Sequence, residues 1–269
     1  MKMVATAKLR RAQENILATR PYATKMFDLL SSVASRATSD VHPLLSRREP
    51  RRVEVVLFTS DRGLCGSFNM NLIQRAERFM EEEKSREEFV YSFIGKKGRD
   101  YFRKRRVNIR REFINVPARP DFPLASRIAH ELIEEYAQEK VDAIYLLYSE
   151  FRSAIQQRIL LEKILPVSPK TAESGEGTGQ KPVAVDYIYE PSEREILNQL
   201  LPMYVEVQIY RALLESAASE FGARMTAMEN ATKNAAEMID KLTLVYNKAR
   251  QAAITKELIE IVSGAEALK

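Results

Sequence analysis

A small, mostly parallel α/β domain carried between two long terminal helices, which pair as one antiparallel coiled coil, is the fold the sequence predicts. Three observations predict it. Apolar residues recur at steps of three and four along both ends of the chain. In the middle, short β-branched and aromatic runs alternate with helical patterns. The 269 residues hold only 9 glycines and no tryptophan, too few turn-formers for a sandwich or propeller. Hydrophobic residues make up 45% and charged residues 29%, which excludes a disordered chain.

At the C-terminal end the repeat runs through Leu214, Ala217, Phe221, Met225, Met228, Ala231, Ala235, Met238, Leu242, Val245, Ala249 and Ala252. Its mean step is close to the seven-over-two period of a coiled coil, not the 3.6 of a straight surface helix. No proline and only Gly222 interrupt 203–262. At ~1.5 Å per residue that stretch makes a rod of about 90 Å, long enough to project from a globular domain of this mass. The N-terminal end repeats the pattern at Leu9, Ala12, Ile16, Thr19, Ala23, Met26, Leu30, Val33 and Ala37. Pro21 removes one rung of the helical ladder and predicts a bend. The alanines and threonine in this seam let two helix backbones approach closely. Residues 1–52 carry 11 Lys+Arg against 4 Asp+Glu, whereas 203–269 carry 8 against 9. The two ends therefore suit one another.

Strands are predicted at Val53–Ser60, Phe89–Ile94, Val141–Tyr148 and Ile155–Leu165, and helices at Asn71–Glu88 and Pro123–Lys140. The alternation implies a parallel sheet with helices on its faces. Pro166–Pro182, which contains SGEGTG, reads as a linker. Val183–Tyr189 reads as a last strand, and Pro202 as a kink or a helix start. The predicted organisation is an N-terminal coiled-coil helix (1–50), a Rossmann-like α/β domain (51–190) and a C-terminal coiled-coil helix (191–269).

Composition narrows the chemistry. The single cysteine, Cys65, allows no internal disulfide and no cysteine-based zinc site, and His42 and His130 are too few for a histidine-rich metal centre. The longest apolar run, Ala143–Tyr148, is far short of the ~20 residues that span a bilayer. No signal segment opens the chain. A soluble intracellular protein is the expectation. The net charge of +5, concentrated at the front, leaves nucleic acid, an acidic membrane surface and an acidic protein as partners. Residues 1–52 hold only Tyr22 and Phe27 as aromatics, which favours a protein at least as much as nucleic acid.

Two glycine motifs follow predicted strands. Ser60–Asn69 reads SDRGLCGSFN, and a glycine-rich turn between strand and helix often cradles phosphate. Neither the G-x-x-x-x-G-K-[ST] nor the G-x-G-x-x-G spacing is met. The plainer reading is a tight βα turn in which Gly63 and Gly66 supply unusual backbone angles around Cys65. Cys65 reads either as a nucleophile or as a small buried thiol, and no histidine lies near it in sequence. Gly95–Gly98 reads GKKG, the GxxG pattern that clamps a nucleic-acid backbone, with RKRRVNIRR (Arg103–Arg111) behind it for phosphate contacts. The plainer reading is a βα turn and a solvated basic helix end. No acid–base cluster or catalytic motif points to chemistry by this chain alone.

The opening MKMVATAKLRRAQ, the turn SDRGLCGSFN and the ending LVYNKARQAAITKELIEIVSGAEAL, in that order, resemble the gamma subunit of bacterial F-type ATP synthases. VDYIYEPSE (Val185–Glu193) falls where that family has a similar segment, so the resemblance covers essentially the whole chain. It implies a non-catalytic rotor shaft that couples proton flow to ATP synthesis or hydrolysis. Its implied partners are the alpha and beta subunits of the catalytic ring, the epsilon subunit and the membrane c-ring. It implies no cofactor, no nucleic acid, and a peripheral place on the cytoplasmic face of the bacterial membrane without insertion into it. By resemblance, Met1, Lys2, Arg250, Gln251, Thr255 and Glu257 contact beta subunits, and Tyr187, Tyr189 and Glu190 rest on the c-ring. Gly63, Cys65 and Gly66 form a structural turn.

Two departures from the family carry expectations of their own. Family members usually begin some twenty residues earlier, which would leave seam residues beyond about Leu242 unpartnered here. The cysteine-bearing insertion of chloroplast forms is absent, so thiol control of that kind is not expected. Two other classes stay open from the residues themselves: a small nucleotide-binding α/β enzyme with a helical arm, and an RNA-binding protein built on GKKG.

Overall fold

A computed structural model of the chain describes residues 1–34, 42–46, 48–83, 88–154, 156–167 and 193–267, with the side chains at 23–24, 27–34 and 193–194 set aside. The described elements run α1 (Lys2–Ala34), a 3-10 turn (Pro43–Leu45), β1 (Arg52–Phe58), α2 (Phe68–Glu83), β2 (Glu88–Ile94), α3 (Lys96–Lys104), β3 (Ile109–Phe113), α4 (Phe122–Ala137), β4 (Ala143–Phe151), β5 (Gln157–Leu165) and α5 (Glu193–Glu266). The chain divides into two compact units, Met1–Thr226 and Ala227–Lys269.

In the first unit five strands form one sheet in the order β3-β2-β1-β4-β5. β1, β2, β3 and β4 run parallel, and only β5 is antiparallel, against β4. β1 is central, and from Val53 to Phe58 every residue is buried. Alternation sends Val55 and Leu57 to one face of the sheet and Val56 and Phe58 to the other. The first face packs on Leu72, Ile73 and Phe79 of α2 and on Phe102 of α3. The second packs on Ile128, Leu132 and Tyr136 of α4 and on Leu197, Leu201, Val205 and Ile209 of α5. Each such side chain contributes about 1.5–3 kcal/mol by leaving water. α4 starts where its sequence directs: the Asp121 carboxylate accepts from the Leu124 amide at 3.3 Å, with proline in the first turn.

α1 and the middle of α5 pack together through Leu9, Ala12 and Ile16 against Leu214, Ala218 and Phe221, with Phe151 of β4 beneath them. Their cross-contacts fix the direction. Lys8 lies over the Phe221 ring, Arg20 pairs with Glu215, and the Tyr22 hydroxyl meets the Met203 sulfur. One helix ascends as the other descends, so the pair is antiparallel.

Several expectations need correcting. Pro202 is not a helix start, because α5 begins at Glu193 and runs through it. The predicted helix Asn71–Glu88 overruns, since Glu88 already opens β2. β3 was not anticipated, and α3 only as the basic helix end behind the GKKG turn, without its bounds. Ala231, Ala235 and Met238 of the C-terminal repeat are exposed, as Leu242 is. The proposed last strand and most of the Pro166–Pro182 linker lie outside the described residues.

Candidate functional site

The βα turn after β1 is organised by its own side chains. The Asn69 carbonyl accepts from the Ser60 amide at 2.9 Å, and its amide group reaches Ser60 Oγ at 2.8 Å and Cys65 Sγ at 3.1 Å. Cys65 is buried, and burial raises its thiol pKa, which keeps it protonated. The buried-thiol reading therefore stands over the nucleophile. Gly66 has φ 58°, as the turn demands, but Gly63 does not lie in the left-handed region; Leu64, at φ 65°, carries the second unusual angle. A Cβ at Gly63 would meet only the end of the Lys97 side chain, at 3.8 Å. The carbonyls of Arg62 and Gly63 accept from Arg224 Nη2 at 3.4 and 3.3 Å, so the turn is tied to α5.

GKKG forms the start of α3. Gly95 has φ 94°, and a Cβ there would fall 2.1 Å from the Thr59 carbonyl oxygen. The amides that would grip a phosphate are taken: Lys96 N–H by Asp61, Lys97 N–H by the Ser60 carbonyl, and Gly98 N–H by Thr59 Oγ1. Nor is the run behind it simply solvated. Arg105 pairs with Glu77 and covers the Tyr101 ring, and Arg111 pairs with Glu131. Arg110 reaches inward, bridging Glu54 at 3.1 Å and Glu135.

Glu54, fully buried in β1, also accepts from Ser92 Oγ. Burial raises its pKa, opposed by the Ser92 and Arg110 contacts. Sequence reasoning passed over this group, although a lone carboxylate in VEVVLF was its signal. It also passed over Glu215, buried in α5, which bonds Arg20 of α1 and the Phe151 backbone of β4.

The positions taken by resemblance to contact other subunits fall into three groups. Met1 and Lys2 open α1, and Met1 is exposed. Arg250, Gln251, Thr255 and Glu257 lie on the second unit, each exposed. Along that unit Met238, Leu242, Val245, Tyr246, Leu258 and Ile261 stand 57–68% exposed. Tyr187, Tyr189 and Glu190 lie outside the described residues. Among the described residues no group of histidine, cysteine or carboxylate side chains could hold a metal ion. No described helix is long and apolar enough to cross a membrane.

A family model described as "ATP synthase" matches residues 1–268. An ATP synthase gamma chain from Anaeromyxobacter sp. (strain Fw109-5) is 53% identical over 273 residues, covering 100% of this chain and 92% of that one. The chain belongs to the ATP synthase gamma chain family. A second gamma chain, from Geobacter sp. (strain M21), is 50% identical with the same coverage. Among solved structures, the central stalk and c-ring of Tetrahymena thermophila mitochondrial ATP synthase contains a chain that superposes with a TM-score of 0.64. It is 25% identical and covers 86% of this chain and 97% of that one. A chain of the Euglena gracilis mitochondrial enzyme, 19% identical at a TM-score of 0.59, shares the fold over 99% of this chain.

Proposed function

We propose that this chain is the central-stalk rotor of a bacterial F-type ATP synthase, itself without a catalytic residue. Proton flow turns the membrane c-ring, and Tyr187, Tyr189 and Glu190 carry that rotation into the chain. The α/β domain passes it to the paired helices. The helix surface is asymmetric, so each beta subunit meets a different face in turn. Differences in contact energy then bias its catalytic site among open and closed states. Met1, Lys2, Arg250, Gln251, Thr255 and Glu257 are the beta-subunit contacts, and the epsilon subunit joins the α/β domain. The division into 1–50, 51–190 and 191–269 follows this labour. The rotor sits peripherally on the cytoplasmic face of the membrane.

The observation that carries this reading, beside family membership, is the second unit: a helix with apolar side chains exposed along its length. Apolar residues at that density need a cover, and a surrounding ring of subunits provides one on all sides. The test is co-purification. An affinity tag on this chain should bring down alpha and beta subunits in stoichiometric amounts, with ATPase activity sensitive to removal of the chain. A chain recovered alone from cells that contain the catalytic ring would overturn the proposal.

A further inference from the structure

We infer that Glu215 is a positioning residue that locks the two helices of the pair to the α/β domain against twisting, with Arg20 as its partner. The inference rests on the rotor reading above. Glu215 is 1% exposed, yet both carboxylate oxygens are used. Oε2 accepts from the Phe151 amide, at the end of β4, at 2.9 Å. Oε1 accepts from Arg20 Nε at 3.2 Å and Nη2 at 3.0 Å. The same Nη2 donates to the Phe151 carbonyl at 3.2 Å. One carboxylate and one guanidinium thus join α1, α5 and the sheet at a single residue of β4, meeting both polar groups of its backbone.

The rest of the junction is of two kinds. Leu9, Ala12, Ile16, Leu214, Ala218 and Phe221 make apolar contacts, which are non-directional and allow one helix to roll or slide on another. Hydrogen bonds to a fixed backbone position tolerate little change of angle. Ser219 Oγ donates to the Ser149 carbonyl at 2.9 Å and Thr226 Oγ1 to the Ala154 carbonyl at 3.3 Å, which adds anchors for α5 alone. The Glu215–Arg20 pair holds α1 to the sheet as well. A shaft that carries torque needs both helices to turn with the domain, and a charge-assisted fork is suited to that.

The experiment uses the chain in its assembled ATP synthase, reconstituted into vesicles. Glu215→Gln, Arg20→Lys and Arg20→Met are compared with wild type for three readouts: yield of complex, thermal midpoint, and the ratio of ATP-driven proton pumping to ATP hydrolysis. Arg20→Lys is the safeguard against misfolding, because it keeps a cation at the half-exposed position beside the buried Glu215 carboxylate. The expected result is a pumping-to-hydrolysis ratio lowered roughly two- to fivefold in Glu215→Gln and Arg20→Met complexes. Arg20→Lys, which keeps the charge but not the fork, should fall between them and wild type. A merely structural pair would lower yield or midpoint and leave the ratio of the assembled complexes unchanged, and that result overturns the inference alone. A wild-type chain that supports no pumping overturns the rotor reading itself.

Discussion

Glu54 and Arg110 show how a charge can be buried in a sheet and what it costs. Arg110 is shared by Glu54 and Glu135, and Ser92 supplies a further donor. Removing the cation leaves the buried Glu54 carboxylate with no counter-charge and only the Ser92 hydroxyl, while Glu135 keeps Lys140 and Arg111. Arg110→Met should therefore destabilise the isolated chain by about 3–5 kcal/mol, read as a drop in the denaturant midpoint. Burial raises the Glu54 pKa, so folding favours its protonated form. The stabilisation that this gives is complete below the unfolded carboxylate pKa and is lost as pH rises through the folded one. Glu54→Gln has no such dependence. Its midpoint relative to wild type should rise across that acidic window, and a difference that stays flat with pH would show that burial does not govern this group.

At the same scale two glycines in neighbouring turns differ in their demands. Gly95 has φ 94° and no room before the Thr59 carbonyl, whereas Gly63 has neither constraint. Gly95→Ala should cost several kcal/mol, in the range of strained or overpacked sites. Gly63→Ala should stay within about 1 kcal/mol. Thermal melts of the two variants check both. The sequence showed that glycines sat in these turns. Which of them the backbone requires depends on φ and on a strand packed against it, and neither is written locally.

The elements legible in the sequence were those whose burial follows a single period. β1, β2 and β4 are short runs of mostly apolar, β-branched or aromatic residues, α4 carries one apolar face, and the terminal helices repeat at steps of three and four. β3 escaped, and α3 showed only as a basic helix end, for physical reasons. α3 is anchored by one large buried side chain, Phe102, so its pattern has no period to find. β3 is an edge strand with only Ile109 and Phe113 as apolar residues, and its inward Arg110 reads as surface when its carboxylate partners are unknown. The Glu215–Arg20 junction escaped because the two residues are 195 positions apart in sequence. The helix pair gives a test at this scale. Leu9 and Ile16 are buried against α5, while Leu242 is 61% exposed. Leu9→Asp or Ile16→Asp should lower the stability of the isolated chain by several kcal/mol. Leu242→Asp should leave it nearly unchanged and show its effect only as reduced assembly with alpha and beta subunits. Equal destabilisation by all three would mean that the second unit's helix is covered in the isolated chain.

For the whole molecule, the two units present different kinds of surface. Met1–Thr226 satisfies its buried polar groups internally, with the Tyr91 hydroxyl the one buried side-chain atom among the described residues that lacks a partner. Ala227–Lys269 buries almost nothing and exposes Tyr246 and Val245 beside Arg250 and Gln251. On the rotor function proposed above, work passed between the exposed helix and a surrounding ring has to be carried by contacts that differ from one rotary state to the next, since a contact equal in all states biases none of them. A guanidinium with five donors in a fixed fork is suited to carboxylates on a beta-subunit loop. Arg250→Ala should therefore reduce ATP hydrolysis and ATP-driven proton pumping of the assembled complex, while complex yield and the isolated chain's melting midpoint stay at wild-type values. A charge-assisted contact of about 2 kcal/mol sets a ceiling of roughly thirtyfold on the loss, reached only if all of it is realised in the rate-limiting state. Neighbouring contacts share the load, so the measured loss should fall below that ceiling and deepen when Gln251→Ala is added. Full turnover and pumping in the double variant would remove Arg250 and Gln251 from the torque-bearing surface.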